Sequence, residues 1–125
     1  CFLSADGTYD FSKQAGQRWF MKAARDRGMN NFLFFTNSAP YFMTRSGATV
    51  SMDRKYINLR EDKFDDFARF LVECAKHFRS EGYGVNYISP LNEPNVEWHT
   101  NAFQEGTFAT KAQRKLPTQL QSKLN

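Results

Sequence analysis

Two short apolar runs restrict the fold of this chain more than any other feature of its sequence. The first is Phe32–Phe35 and the second is residues 85–89, with an amphipathic pattern between them over residues 62–81. Each run is bounded by turn-forming residues and is too short for a helix, which is typical of strands buried on both faces. A further helical pattern over residues 12–28 precedes the first run. The alternation predicts an α/β fold with parallel strands and right-handed crossovers.

Both helical patterns have recognisable ends. In the first, Ser12 is the predicted N-cap and Gly28 the predicted stop; its apolar stripe is Ala15, Trp19, Phe20, Ala23 and Ala24. In the second, acids crowd the first turn and bases the last, as the helix dipole favours, and Gly82 ends it. The apolar stripe of this helix is Phe64, Phe67, Ala68, Leu71, Val72, Ala75 and Phe78. A weaker helix is predicted from about Thr107.

Polar residues follow both predicted strands. Asn37 and Ser38 come after the first strand, and Asn92 and Glu93 come after the second. Since parallel strands bring their carboxyl ends to one edge, where ligands gather in α/β folds, a functional site is expected there.

Glu93 is the candidate for acid–base chemistry at this edge. Pro94 stiffens the backbone behind it and favours an extended conformation for Glu93. Neighbouring aromatic residues such as Tyr41 and Trp98 would desolvate the carboxyl group and raise its pKa, as a general acid near neutral pH requires. The alternative is an ordinary loop glutamate that caps a helix or pairs with an arginine.

The charge distribution disfavours a nucleic-acid partner. The net charge is +4, but the bases alternate with acids up to residue 111, and recognition of nucleic acid needs a clustered basic face. Only the tail is basic, through Lys111, Arg114, Lys115 and Lys123. No apolar stretch reaches the roughly 18 residues of a membrane span.

Cysteine and histidine provide no predicted metal site. The two cysteines and two histidines lack short ligand spacing. Cys74 falls on the apolar face of the second helix, so we expect a buried free thiol there. No cofactor is predicted.

Several blocks of the sequence together form a recognisable pattern. The block that carries most weight is Ile88-Ser89-Pro90-Leu91-Asn92-Glu93-Pro94, with Trp98 just after it. The supporting blocks are Asp6–Asp10, Lys13–Arg18, Phe35–Thr44, Asn58-Leu59, Asp65–Ala68 and Gln104–Gly106. In this order the blocks resemble glycoside hydrolase family 30, and within it the endo-β-1,6-galactanase-like members. The resemblance covers residues 1 to about 110, and residues 111–125 match the family's helix only loosely.

The resemblance implies a retaining mechanism on a (β/α)8, or TIM, barrel. It assigns the general acid/base to Glu93 and a contact with the sugar 2-hydroxyl to Asn92. Trp98 would stack on a sugar ring, or alternatively pack a helix. Asn37 and Tyr41 would line a substrate subsite, or alternatively cap the loop. The implied partner is a β-linked polysaccharide or oligosaccharide.

The chain is expected to be a fragment of such a domain. A TIM barrel takes roughly 250 residues, whereas residues 1–125 contain two predicted strands and span about the second to the fourth helix. The nucleophile is therefore expected outside the chain, and the isolated chain should be inactive. The aromatic share of 16% also fits part of a larger core.

Compartment and oligomeric state are not predicted from the residues. The family resemblance alone favours a secreted or extracytoplasmic protein. Two alternatives remain open for function: a non-catalytic glycan-binding or degenerate relative, and a small basic α/β domain that binds an anionic partner through its tail.

Overall fold

The computed structural model describes residues 1–50 and 57–92, which form an α/β unit. Its main elements are α1 (Ala15–Arg25), β1 (Phe32–Phe35), α2 (Phe64–Ser80) and β2 (Val85–Ser89). This order confirms the predicted alternation of helices and strands over that part of the chain. The helix predicted from about Thr107 and the loosely matching residues 111–125 lie outside the described residues.

The two strands pair in parallel. Phe32 pairs with Val85, and the register then shifts, so that Leu33 pairs with Tyr87. The last pair is Phe35 with Ser89. The long connection between the strands contains two short 3-10 turns, at Tyr41–Met43 and Glu61–Lys63, and then α2. The second turn leads directly into α2, so this helix begins two residues later than the pattern predicts.

Only one face of the sheet is covered within the described residues. Phe34 lies on the face that packs against α2, with its ring centroid 5.4 Å from that of Phe78. On the opposite face Leu33, Phe35 and Tyr87 are 57%, 54% and 64% exposed. Burial of both strands on both faces is therefore not seen within the described residues, and for the whole protein it stays a prediction.

Helix α2 supplies half of the buried hydrophobic residues that the structure describes. Its buried residues are Phe67, Ala68, Phe70, Leu71, Cys74, Ala75 and Phe78, which confirms most of the predicted apolar stripe and the buried thiol of Cys74. Phe64 and Val72 of that stripe are half-buried, and Phe70 is buried without having been predicted. Phe78 is the centre of an aromatic cluster, whose other members are Phe2, Phe11, Phe34 and Tyr83. This cluster absorbs part of the aromatic excess of the sequence.

Helix α1 is less covered than α2 and begins differently from the prediction. Its N-cap is Gln14, with a φ of 59°, so the prediction of Ser12 as N-cap is wrong. The backbone N–H and hydroxyl of Ser12 instead both donate to Asp10 Oδ1, at 3.0 and 2.5 Å. On the predicted apolar stripe of α1, Trp19 and Phe20 are 64% and 70% exposed.

Both helices end in the same turn, as Gly28 and Gly82 predict. Gly28 has a φ of 89° and Gly82 a φ of 85°, a region that glycine enters without steric cost. The amide of Met29 donates to Ala24 and that of Tyr83 donates to Phe78, the six-to-one bond of a Schellman motif. Within residues 1–50 and 57–92, no helix is both long and apolar enough to cross a membrane.

Candidate active site

The carboxyl ends of β1 and β2 lie side by side at one edge of the sheet. The last pair in the register is Phe35 with Ser89, and just beyond it the Thr36 amide donates to the Ser89 carbonyl at 3.1 Å. Asn37 lies in the segment after β1, and Asn92 lies in the segment after β2. Both segments therefore leave the sheet from the same edge, as the parallel arrangement predicts.

Asn92 is buried beyond the end of β2, with 4% of its surface exposed. Leu91, the residue before it, packs against the main core. Asn92 is the last described residue, so Glu93 and Trp98 lie outside the described part of the chain. Their roles as acid/base and as sugar-stacking residue remain predictions.

Tyr41 offers an accessible aromatic ring on the loop that follows β1. It is 57% exposed and lies on the 3-10 turn Tyr41–Met43, whose last residue is buried. The ring of Phe42 packs edge-to-face against it, with centroids 5.4 Å apart and planes at 85°. Asn37, the other candidate on this loop, is also exposed.

The loop between β1 and α2 is held by a hydrogen-bond network that the sequence interpretation missed. Asn58 is buried, with 4% exposure; its Oδ1 accepts from the Ser46 amide at 3.2 Å and its Nδ2 donates to the Ala48 carbonyl at 3.1 Å. Thr44 is also buried, and its hydroxyl lies 2.7 Å from the Tyr41 carbonyl and 2.9 Å from the Ala48 carbonyl. The signal was available in the polar Asn58 between two apolar residues.

The network is continuous with the core. Thr44 and Leu59 form an isolated antiparallel bridge, and the Arg60 amide donates to the Met43 carbonyl at 3.0 Å. Ile57 and Leu59 are fully buried. The loop is therefore fastened to the same core that supports the strands.

Three acids at the start of α2 and in the turn before it pair with bases. A hydrogen bond from Arg60 lowers the pKa of Asp62, and one from Lys63 lowers the pKa of Asp66, whereas Glu61 lies 3.7 Å from Arg45. Carboxyl groups with lowered pKa values stay ionised near neutral pH. Asp62 and Asp66 are therefore poor candidates for a general acid.

No metal or thiol chemistry is indicated in the described part of the chain. Residues 1–50 and 57–92 hold no group of three or more His, Cys, Asp or Glu residues that could bind a metal ion. Burial raises the pKa of the Cys74 thiol to about 12, so it is not a nucleophile at neutral pH.

Comparison with known proteins identifies the family. The sequence profile of O-glycosyl hydrolase family 30 matches residues 1–124. The chain belongs to this family, which confirms the resemblance found in the sequence.

Two relatives extend the comparison. An exo-beta-1,6-galactobiohydrolase from Bifidobacterium longum subsp. longum is 34% identical over 97 residues, which is 74% of this chain and 6% of that protein. The crystal structure of a conserved exported protein from Bacteroides fragilis is 67% identical, with a TM-score of 0.89, over 100% of this chain and 26% of that one. This chain thus spans about a quarter of the solved protein and a much smaller share of the curated relative.

Proposed function

We propose that this chain forms part of the catalytic domain of a retaining O-glycosyl hydrolase, with Glu93 as its general acid and base. The observation that carries the proposal is the position of Asn92, which is buried beyond the end of β2 and directly precedes Glu93. Asn37 and Tyr41 follow the adjacent strand and leave the sheet at the same edge. Membership of family 30 supports a glycosyl hydrolase in general.

In the proposed reaction, the Glu93 carboxyl group protonates the leaving glycosidic oxygen while a carboxylate nucleophile attacks the anomeric carbon. The C–O bond breaks, and a glycosyl-enzyme ester forms. The Glu93 carboxylate then takes a proton from water, which attacks the anomeric carbon and releases the nucleophile. The nucleophile is assigned to a part of the protein outside this chain, roughly 5–5.5 Å from Glu93 as retaining enzymes require.

The remaining site residues bind the glycan. Asn92 donates a hydrogen bond to the 2-hydroxyl of the sugar that is cleaved, a contact that strengthens in the transition state. Trp98 stacks its indole on a sugar face, while Asn37 and Tyr41 contact a neighbouring sugar.

The proposed substrate is a β-linked galactan, with β-1,6-linked galactose as the first choice. The relative named exo-beta-1,6-galactobiohydrolase supports this linkage. Endo cleavage, as the sequence resemblance implies, predicts products of several lengths, whereas exo cleavage would release one product size. A location outside the cytoplasm is proposed because the 67% identical protein is described as exported.

The described α/β unit is proposed to be part of a (β/α)8 barrel. The exposed face formed by Leu33, Phe35 and Tyr87 would then point into the barrel, and the free edges of β1 and β2 would pair with further strands. This accounts for large apolar side chains on a face that nothing in the described residues covers.

The test is Glu93→Gln in the full-length protein that contains this chain. We expect kcat on β-1,6-galacto-oligosaccharides to fall by about 10²–10⁴-fold, the range that general acid–base catalysis contributes. An aryl galactoside with a good leaving group needs no protonation, so its first step should survive. Added azide should then restore turnover and give a β-galactosyl azide, because azide needs no general base.

Glu61→Gln is the matched control, since Glu61 is an exposed glutamate of the same region. Its kcat should stay within about twofold of the wild type, as expected for a surface substitution. Full activity of Glu93→Gln on oligosaccharides would remove Glu93 from the acid/base role. Tight galactan binding by a wild-type protein without any hydrolysis would instead identify a non-catalytic glycan-binding relative.

A further inference from the structure

We propose that Asn58 is a positioning residue for glycan binding, which holds the loop bearing Tyr41 in its binding conformation. The inference rests on the proposed function, because it assumes that Tyr41 contacts a sugar. It adds a residue that lies behind the site and is argued to act through the loop rather than by touching the glycan.

Both ends of the Asn58 amide are used to shape the loop. Its Oδ1 accepts from the Ser46 amide, and its Nδ2 donates to the Ala48 carbonyl. The Asn58 backbone carbonyl also accepts from the Arg45 amide at 2.7 Å. One buried side chain and its own backbone therefore fix three points of the loop, at Arg45, Ser46 and Ala48, and the buried Asn58 amide would be costly to leave unpaired.

Asn58 is itself held by the core. Its two neighbours, Ile57 and Leu59, are each 0% exposed and belong to the main hydrophobic cluster with residues of α2. The core therefore holds Asn58 in place, and the hydrogen bonds of Asn58 fix the loop relative to the core.

The Ala48 carbonyl connects Asn58 to Tyr41. This oxygen accepts from Asn58 Nδ2 at 3.1 Å and lies 2.9 Å from the Thr44 hydroxyl. The same hydroxyl lies 2.7 Å from the Tyr41 carbonyl, and the Thr44 amide donates to that carbonyl at 3.1 Å. The path from the core to the exposed ring therefore runs through Asn58, Ala48 and Thr44.

The exposure of Tyr41 indicates that this order serves binding more than stability. A ring that is 57% exposed adds little to the core, yet its backbone is fixed by partly buried hydrogen bonds. Fixing a contact residue before the ligand arrives removes an ordering cost from binding. Loss of the network should therefore weaken binding of the glycan more than it slows the chemical step.

The experiment measures kcat and KM of the full-length protein on β-1,6-galacto-oligosaccharides, with Asn58→Ala and Thr44→Val as variants. Thr44→Val is nearly isosteric and retains a folded loop if Asn58→Ala unfolds it. We expect KM to rise about tenfold in each, with kcat within about twofold, which is the pattern of lost binding. Asn86→Ala is the matched control, since the side chain of Asn86 is hydrogen-bonded to Asn31 at the opposite end of the sheet; its KM should not change.

A double-mutant cycle separates positioning from a merely structural role. Tyr41→Ala should raise KM, and in that background Asn58→Ala and Thr44→Val should each change KM by less than about twofold, because the residue they position is gone. Independent, multiplying effects on KM would overturn the proposal, as would a Tyr41→Ala variant with wild-type KM.

The outcomes for the two proposals differ. Suppose that the wild-type protein hydrolyses the oligosaccharide and that Asn58→Ala and Thr44→Val both have the wild-type KM. This result would overturn the role of Asn58 and leave the proposed function intact. A wild-type protein that neither hydrolyses nor binds β-linked galactans overturns the proposed function and, with it, the inference about Asn58.

Discussion

The pKa of the Cys74 thiol on α2 depends strongly on the burial of its side chain. Its side chain lies in the main core with 5% exposure. Burial is the largest cause that raises its pKa from 9.0 to about 12, with a smaller contribution from the negative charge of Glu73. The folded protein therefore holds the proton on this sulfur at pH values where the unfolded chain has released it.

This difference predicts a loss of stability in alkali. Because the folded pKa is the higher one, the unfolded state binds fewer protons above pH 9.0, so the free energy of unfolding falls from there up to about pH 12. We expect a loss of about 1 kcal/mol per pH unit in the full-length protein.

Urea unfolding of wild type and Cys74→Ala between pH 7 and 11 measures this loss. Other groups titrate in both proteins, so the test is the difference in slope, and the alanine variant should show the shallower decline. Parallel curves for the two proteins would contradict the prediction.

Single residues were predictable from the sequence where local chemistry decides their role. Gly28 and Gly82 end helices because the backbone there needs a positive φ. Ser12 failed as an N-cap because Asp10 engages both its amide and its hydroxyl. The position of Asn58 between two apolar residues indicates burial, but its hydrogen bonds were not predicted, because Ser46 and Ala48 are 12 and 10 residues away and become neighbours only when the loop folds back.

At the scale of elements, the segment just before β2 approaches the segment before β1 more closely than any other backbone approaches a described glycine. A Cβ on Gly84 would lie 2.1 Å from the carbonyl oxygen of Asn30. That carbonyl belongs to the backbone and cannot rotate away, so the two segments could not keep their present spacing. The Phe32 amide, which donates to the Gly84 carbonyl at 2.8 Å, would move with them.

Gly84→Ala should therefore destabilise the protein. We expect a loss of about 1–3 kcal/mol in the free energy of unfolding, the usual cost of forcing atoms into a packed region. The matched control is Gly16→Ala: Gly16 lies in the first turn of α1, where a Cβ would meet nothing within 4 Å, and alanine should leave stability unchanged or raise it by up to about 0.5 kcal/mol. Denaturant unfolding compares the two variants, and equal stabilities would refute the argument.

The helices and strands were predictable because their apolar residues recur at helical spacing or form a short continuous run. The α2 stripe and both strands follow from the spacing of apolar residues alone. The burial of the strands was not predictable in the same way. An apolar run indicates that the side chains of a strand favour burial, but it does not indicate which residues pack against them. Leu33 and Tyr87 therefore look like core residues in the sequence and are exposed in the described unit.

At the scale of the whole molecule, the exposed sheet face is the main difference between this unit and a self-sufficient domain. Leu33, Phe35 and Tyr87 form an apolar patch of a kind that usually marks a surface meant to be covered. The solved relative, of which this chain covers 26%, is long enough to supply such a cover. The fold class was accessible from the sequence, whereas the cover of this face was not, because an apolar run does not identify the residues that pack on it.

The proposed barrel predicts opposite effects of one substitution in two settings. Tyr87→Lys should reduce self-association of the isolated 125-residue chain, because a charge interrupts the apolar patch. In the full-length protein it should destabilise by about 3 kcal/mol or more, because the charge would be buried in the barrel.

Size-exclusion chromatography of the isolated chain and thermal unfolding of the full-length protein measure these effects. Asn86→Lys, at the exposed neighbouring position, is the control and should be mild in both. The proposal that this face lines a barrel fails if the full-length protein tolerates Tyr87→Lys. The isolated chain is also expected to hydrolyse no galacto-oligosaccharide.

The glycine turns that end the two helices, at Gly28 and Gly82, restrict where residues can be inserted into the chain or deleted from it. Each glycine turn is followed by a very short link to a strand, residues 29–31 before β1 and residues 83–84 before β2. One residue inserted in either link would shift a strand by one position and turn its side chains to the wrong face. Changes in chain length are therefore expected away from these two links.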